Sequence, residues 1–205
     1  MHYLSPLIFV DIIGIFAFAI SGFLVGTRNG LDVLGLIIAS SLTALGGGII
    51  RDTILSVTPF AFRTLYPAVA LLTVLLIAFG IKLYRFNNLE RKWIFIISDT
   101  IGLVAFSITG ALLAIHANYN FFGVMILSFI TAVGGGVMRD ILINQIPTVL
   151  TSDFYGSVSI VVAIILLLLH AGDFLNQMTI LITALFAIAL RLVAYHQKWH
   201  LPQLK

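Results

Sequence analysis

Residues 43–55 read TALGGGIIRDTIL, and residues 131–143 read TAVGGGVMRDILI. The match extends well beyond these stretches. With Asp11 set on Asp99, an offset of 99 − 11 = 88, Gly14 meets Gly102, Phe18 meets Phe106 and Gly22 meets Gly110. Further on, Gly35 meets Gly123, Ser40 meets Ser128 and Thr43 meets Thr131. Gly46, Gly47 and Gly48 meet Gly134, Gly135 and Gly136, Arg51-Asp52 meets Arg139-Asp140, and Pro59 meets Pro147. Roughly a third of the positions are identical without a gap through Pro59, which marks an internal duplication. A duplicated chain must build two similar units and join them, and this limits the folds open to it more than any other feature.

The units are apolar. Of 205 residues, 60% are hydrophobic and 9% charged, against about 25% charged in an average soluble domain. Too few polar groups remain to cover a water-facing surface, so lipid is the main solvent. The length rule for spans, about 20 apolar residues each, gives seven, near 5–26, 32–57, 65–84, 93–115, 120–145, 156–171 and 177–196. The expected fold is therefore an all-α membrane protein, one transmembrane domain over residues 1–205. Its first repeat covers about 5–84, its second about 93–171, and a seventh helix about 177–196. Each repeat holds three spans, an odd number, so the second enters the membrane from the opposite side. Such inverted repeats place a pathway at the interface of two pseudo-symmetric halves. The third spans align by hydropathy alone, and the seventh helix is expected to serve packing or assembly. The head MHYLSP has no Lys or Arg, so span one is expected to be retained as a helix rather than removed as a leader.

Basic residues orient the bundle. Lys82, Arg85, Arg91 and Lys92 form the densest basic cluster. The excess of Lys and Arg in cytoplasmic loops places it inside, with Arg28, Arg191, Lys198 and Lys205, and leaves Arg63 outside. The N-terminus is then external and the C-terminus cytoplasmic. The basic cluster also suits anionic lipid headgroups, at about 1 kcal/mol per charge near the surface. Trp93, Tyr195 and Trp199 near the inner ends fit an aromatic belt.

The glycine runs lie past the middle of spans two and five. Each glycine costs about 1 kcal/mol against alanine inside a helix, so a kink or a short unwound stretch is expected at 46–48 and 134–136. Bared carbonyls there would suit K⁺ or Na⁺. Close approach of two helices is the other reading of the same glycines.

A charge at the centre of a spanning helix costs at least about 2.5–3.5 kcal/mol, and such residues are functional candidates by default. Depth pairs Asp11 with Arg51-Asp52 in one layer and Asp99 with Arg139-Asp140 in another, each about 9 Å inside the membrane. These layers either gate a passage by pairing and unpairing or lock the halves together as structural salt bridges. The hydroxyls of Ser21, Ser40, Thr43, Thr109, Ser128 and Thr131 either line that passage or join helices.

Other chemistry is thin. His2, His116, His170, His196 and His200 fit no metal spacing, and there are no cysteines. No HExxH, GxSxG or P-loop occurs, so an enzyme is not expected, nor a cofactor. The basic residues follow one membrane face without a nucleic-acid module.

Two inverted three-helix repeats, each with GGG-x-x-RD in its second helix, and a seventh helix resemble the TRIC family of trimeric intracellular cation channels, in its bacterial and archaeal branch. That group is also described as a glycine-transporter family. The resemblance implies a homotrimer with a pore inside each subunit, kinks at Gly46–Gly48 and Gly134–Gly136, K⁺ and Na⁺ conduction, and a place in the bacterial plasma (inner) membrane. It leaves a second function open, secondary transport of a small zwitterion such as glycine, in which paired Arg and Asp would hold a carboxylate and an ammonium.

Overall fold

The structure, a computed structural model, describes residues 4–151 and 154–199. His2, His200 and Lys205 lie outside the described residues. The described chain is helical: α1 (Leu4–Arg28), α2 (Val33–Ile54), α3 (Phe60–Arg63), α4 (Tyr66–Gly80), α5 (Asn88–His116), α6 (Phe121–Leu142), α7 (Thr148–Thr151), α8 (Tyr155–Ala171) and α9 (Gln177–His196). Helices α1, α2, α5, α6 and α9 are long and apolar enough to cross a bilayer. Helices α4 and α8, with 15 and 17 residues, fall short of the usual span. The expected end of the third span at residue 84 is too late. The helix stops at Gly80, and Lys82 turns left-handed (φ 55°) into a 3-10 turn at Leu83–Arg85. Helix α5 starts at Asn88, earlier than residue 93, because the polar stretch before Trp93 is helical as well.

The offset of 88 recurs in local structure. Helices α2 and α6 share it at both ends, and so do the short α3 and α7. Asp32 caps α2 by accepting from the Gly35 N–H at 2.7 Å, and Asn120 caps α6 from the Gly123 N–H at 2.9 Å. These are N-cap bonds to the third helical residue. Left-handed residues sit ahead of both caps, Gly30 (φ 69°) and Asn118 (φ 56°).

The halves meet across a core of four helices, α1, α2, α5 and α6. Helix α1 packs on α5, with Phe18 and Phe106 stacked at 5.4 Å between ring centroids. The contact is reciprocal: a Cβ at Gly102 would collide with the Phe18 ring, and one at Gly14 would press tightly on the Phe106 ring at 3.2 Å. Helix α4 covers the first half, α8 covers the second, and α9 packs on α5 and α8. Loops tie the halves together at both ends. Tyr119 Oη donates to the Ile54 carbonyl (3.3 Å), and Gln145 Nε2 donates to Asn29 Oδ1 (2.5 Å).

Candidate functional site

The backbone stays α-helical through residues 46–48 and 134–136. The expected unwound stretch, with carbonyls bared for a cation, is not there. Helix packing explains why. A Cβ on Gly47 would collide with the Thr131 carbonyl oxygen, and one on Gly135 with the Thr43 carbonyl oxygen. The middle glycine of each motif therefore lets α2 and α6 cross with backbone against backbone, as small residues do between membrane helices. The intact helical hydrogen bonds also avoid unsatisfied carbonyls in a region without water. Gly46 faces Met138, Gly134 faces Ile50, and Gly48 faces the Phe60 ring. Gly136 differs, since among the described residues a Cβ there would meet only Arg139 Nη2 at 3.7 Å.

Beyond each glycine run lies a layer of buried charge. On the side of the N-terminus, Arg51 is 2% exposed. Its Nε donates to Asp52 Oδ1 at 2.8 Å, and its Nη1 to Asp11 Oδ1 at 3.1 Å and Thr109 Oγ1 at 3.2 Å. Its guanidinium also lies over the Phe60 ring, 5.3 Å from the centroid. Asp52 reaches onward as well, and its Oδ2 accepts the Phe60 N–H at 2.7 Å, holding the start of α3. Tyr66 Oη donates to Asp11 Oδ2 at 3.4 Å. Four helices and one short turn thus converge on one arginine.

The second layer lies on the side of the basic loop. Arg139, 1% exposed, binds Asp140 at 2.8 Å through both Nε and Nη2. Asp140 Oδ2 accepts from the backbone N–H and hydroxyl of Thr148, at 2.8 and 2.9 Å, at the start of α7. The expected grouping with Asp99 is present in altered form. Arg139 makes no ion pair with Asp99 among the described residues. Instead Arg139 Nη1 donates to Ser21 Oγ (3.4 Å), which donates to Asp99 Oδ1 (3.0 Å). The Tyr155 side chain lies close to Asp99 as well. Ser21 and Thr109 are counterparts at the 88 offset, so each repeat lends a hydroxyl to the other repeat's arginine.

Sequence reasoning missed two tyrosines and one arginine. Tyr66 and Tyr155 open α4 and α8 and reach the aspartates, but they stand 89 apart, so the 88 register hid them. Arg191, assigned to the basic inner end, is 7% exposed and lies over the Tyr155 ring at 5.0 Å. Its signal was an arginine five residues inside an apolar helix.

The other hydroxyls are fully enclosed in this conformation. Ser40, Thr43 and Thr131 donate to the carbonyls of Leu36, Ala39 and Leu127, and Ser128 donates to the Ser107 and Ser159 carbonyls across helices. Both charged layers are likewise closed to solvent. Of the basic cluster, Arg91 and Lys92 join Arg28, Asn88 and Tyr195 around a cavity of 680 Å³ floored by Leu24 and Phe95. Lys82 and Arg85 stand apart on the turn after α4. No cluster of three His, Asp or Glu residues that suits a metal ion occurs among the described residues.

Comparison with known proteins supplies the remaining findings. The glycine transporter family matches residues 8–82 and 96–171. The "UPF0126 inner membrane protein YadS" of Escherichia coli K12 is 31% identical over 94% of this chain and 92% of its own. A UPF0126 membrane protein of Deinococcus radiodurans is 39% identical over 69% of this chain and 65% of its own length. Among solved structures, one described as the structural basis for conductance through TRIC cation channels is 35% identical, covers 96% of each chain and has a TM-score of 0.83. A prokaryotic TRIC channel crystallised in 0.5 M KCl is 31% identical, covering 98% of this chain and 100% of its own, with a TM-score of 0.87.

Proposed function

This chain is a member of the TRIC family, the group matched as glycine transporters, and from that premise we propose that it conducts K⁺ and Na⁺ through a pathway inside each subunit of a homotrimer. The pathway runs between α1, α2, α5 and α6. The observation that carries this reading is the pair of buried Arg-Asp layers at opposite ends of those four helices, with the α2–α6 glycine crossing between them. A buried arginine repels cations unless carboxylates offset it. Each layer supplies those carboxylates, Asp11 and Asp52 in one, Asp99 and Asp140 in the other. The described conformation is closed. Opening requires the arginines to release partners, and a bend of α2 and α6 at Gly46–Gly48 and Gly134–Gly136 supplies the motion. The hydroxyls of Ser40, Thr43, Ser128 and Thr131 then turn from their carbonyls toward the passing ion.

The protein spans the membrane several times, and its relatives include an inner membrane protein. We place it in the inner membrane with the N-terminus outside, on the positive-inside bias, and assign Lys82, Arg85, Arg91 and Lys92 to anionic headgroups. A second reading, exchange of glycine, is favoured by the family match alone. In that case Arg51 or Arg139 holds the substrate carboxylate.

Purified protein in planar bilayers with asymmetric KCl separates the two. Discrete K⁺-selective steps, altered by Arg139→Ala and Asp140→Asn, are expected. Electrical silence together with saturable glycine exchange in liposomes would reject the channel.

A further inference from the structure

At the offset of 88, Arg51 matches Arg139, Asp11 matches Asp99 and Thr109 matches Ser21. In the first layer, Arg51 Nη1 donates both to Asp11 Oδ1 at 3.1 Å and to Thr109 Oγ1 at 3.2 Å. The repeat therefore calls for Arg139 to bind both Asp99 and Ser21. Among the described residues the serine contact is present, at 3.4 Å, and an ion pair with Asp99 is not.

Ser21 takes the place of that pair. It is fully buried on α1. Its hydroxyl accepts from Arg139 on α6 and donates to Asp99 Oδ1 on α5 at 3.0 Å. A hydroxyl is donor and acceptor together, so one side chain answers a cation and an anion at once. Its counterpart Thr109 donates instead to the Phe106 carbonyl of its own helix, at 3.4 Å, and Arg51 holds Asp11 directly. In the second layer two hydrogen bonds separate Arg139 from Asp99, a gap that a flexible arginine side chain can close.

We propose that Ser21 is a positioning residue for conduction: by bridging Arg139 and Asp99 it keeps them from pairing directly, and so keeps the second layer able to part. This inference rests on the conduction reading above and adds to it the residue that sets how readily this layer opens. Without the hydroxyl, Asp99 loses a donor and Arg139 an acceptor, and each meets that loss best in the other. A bond between charged groups is about twice as strong as a neutral one, and a buried charge left short of partners is costly. Loss of the Ser21 hydroxyl therefore tightens the second layer. Loss of the Thr109 hydroxyl does the opposite to the first, because Arg51 and Asp11 are paired already and simply lose a neighbour.

Single-channel recordings of the full-length protein in planar bilayers test this. In Ser21→Ala the open probability should fall about tenfold, through longer closed times, as a direct charged pair replaces the bridge. Ser21→Cys keeps the shape with only a weak donor and acceptor; it should shift the same way and stands in where Ser21→Ala does not fold. Thr109→Val should raise the open probability. Asp99→Asn removes the anion, so adding Ser21→Ala to it should bring no further fall. Open probability at or above the wild type in the Ser21 variants would overturn the proposal, and so would shorter closed times with a lower melting temperature, the mark of a purely structural serine. An equal fall in Thr109→Val, or a fall that persists in the Asp99→Asn background, would overturn it too. A silent wild type rejects the conduction reading itself and this inference with it, an outcome distinct from wild-type currents that ignore Ser21.

Discussion

The two charged layers start from the same phrase, GGG-x-x-RD, and end as different structures. In the first, Arg51 reaches Asp11 directly and is roofed by the Phe60 ring. In the second, Arg139 reaches Asp99 only through Ser21, Thr148 stands where Phe60 would be, and Arg191 arrives from outside the repeat. Both keep the bond from arginine to the next-door aspartate and from that aspartate to a short helix start. Duplication therefore preserved the local bonds, made within about ten residues, and the hydroxyl that each repeat lends to the other repeat's arginine. What differs is how the arginine reaches the aspartate of the neighbouring helix and which side chain covers it. The first layer is a tight direct pair, and the second is a relay with spare members.

The largest effects should follow from that difference. Removing one partner of a buried pair costs about 3–5 kcal/mol, since the other charge is left buried alone. Arg51→Ala leaves Asp11 only the long Tyr66 bond and Asp52 only its α3 contact, so its unfolding free energy in detergent should fall by that full measure. Arg139→Ala leaves Asp99 held by Ser21, and Asp140 held by Thr148. Its loss should be visibly smaller in the same melt. Equal losses would break the distinction between pair and relay.

Next come the glycines that the two halves use alike. Alanine at Gly47 or Gly135 meets a carbonyl oxygen of the facing helix, which cannot move without moving the helix. Overpacking of this kind costs about 1–3 kcal/mol. The two substitutions should cost the same within error, because the α2–α6 crossing is symmetric. A marked inequality would show that the halves do not share the crossing evenly.

How much of this was legible follows the same divide. The duplication, the inverted arrangement and the seven-helix plan come from spacing and hydropathy, which are local quantities. So does the first layer, since Asp11 and Arg51 sit at matching depths in neighbouring antiparallel spans. The glycines were harder. Their helix penalty points to a broken backbone, while their packing value depends on a helix 88 residues away. In lipid, packing and intact backbone bonds outweigh a propensity of about 1 kcal/mol per residue, and the helices run through unbroken. Tyr66 and Tyr155 were illegible for a different reason. Each opens the third helix of its half, where the repeat has drifted by one residue, so no alignment pairs them. Arg191 was counted as a loop-side charge because depth near a helix end is ambiguous by a turn.

Those tyrosines give a smaller effect that sharpens the comparison. Removing a hydroxyl from a hydrogen bond to a charged group costs about 1.5–3 kcal/mol when the geometry is good. Tyr155 is almost fully buried, with Arg191 over its ring and Asp99 close by, whereas Tyr66 makes a long 3.4 Å bond to an aspartate already paired with Arg51. Tyr155→Phe should therefore cost about that amount, and Tyr66→Phe less than about 1 kcal/mol. Thermal unfolding of the two variants side by side checks the order. The reverse order would make the first layer the dependent one.

The smallest effect expected on stability is at Gly136. Its counterpart Gly48 lies against the Phe60 ring and has no room for a methyl group. At Gly136 the added carbon meets only the tip of Arg139 at 3.7 Å, an ordinary contact. Packing gives no reason for glycine there, and alanine should raise stability by up to about 1 kcal/mol through helix propensity. Gly48→Ala should lower it. If α6 bends at this motif when the pathway opens, the same Gly136→Ala change stiffens the hinge, so bilayer recordings should show reduced open probability in a protein that melts later. A later melt with unchanged gating would place the bend at Gly134 or Gly135 instead, since Gly136 would then serve neither packing nor motion.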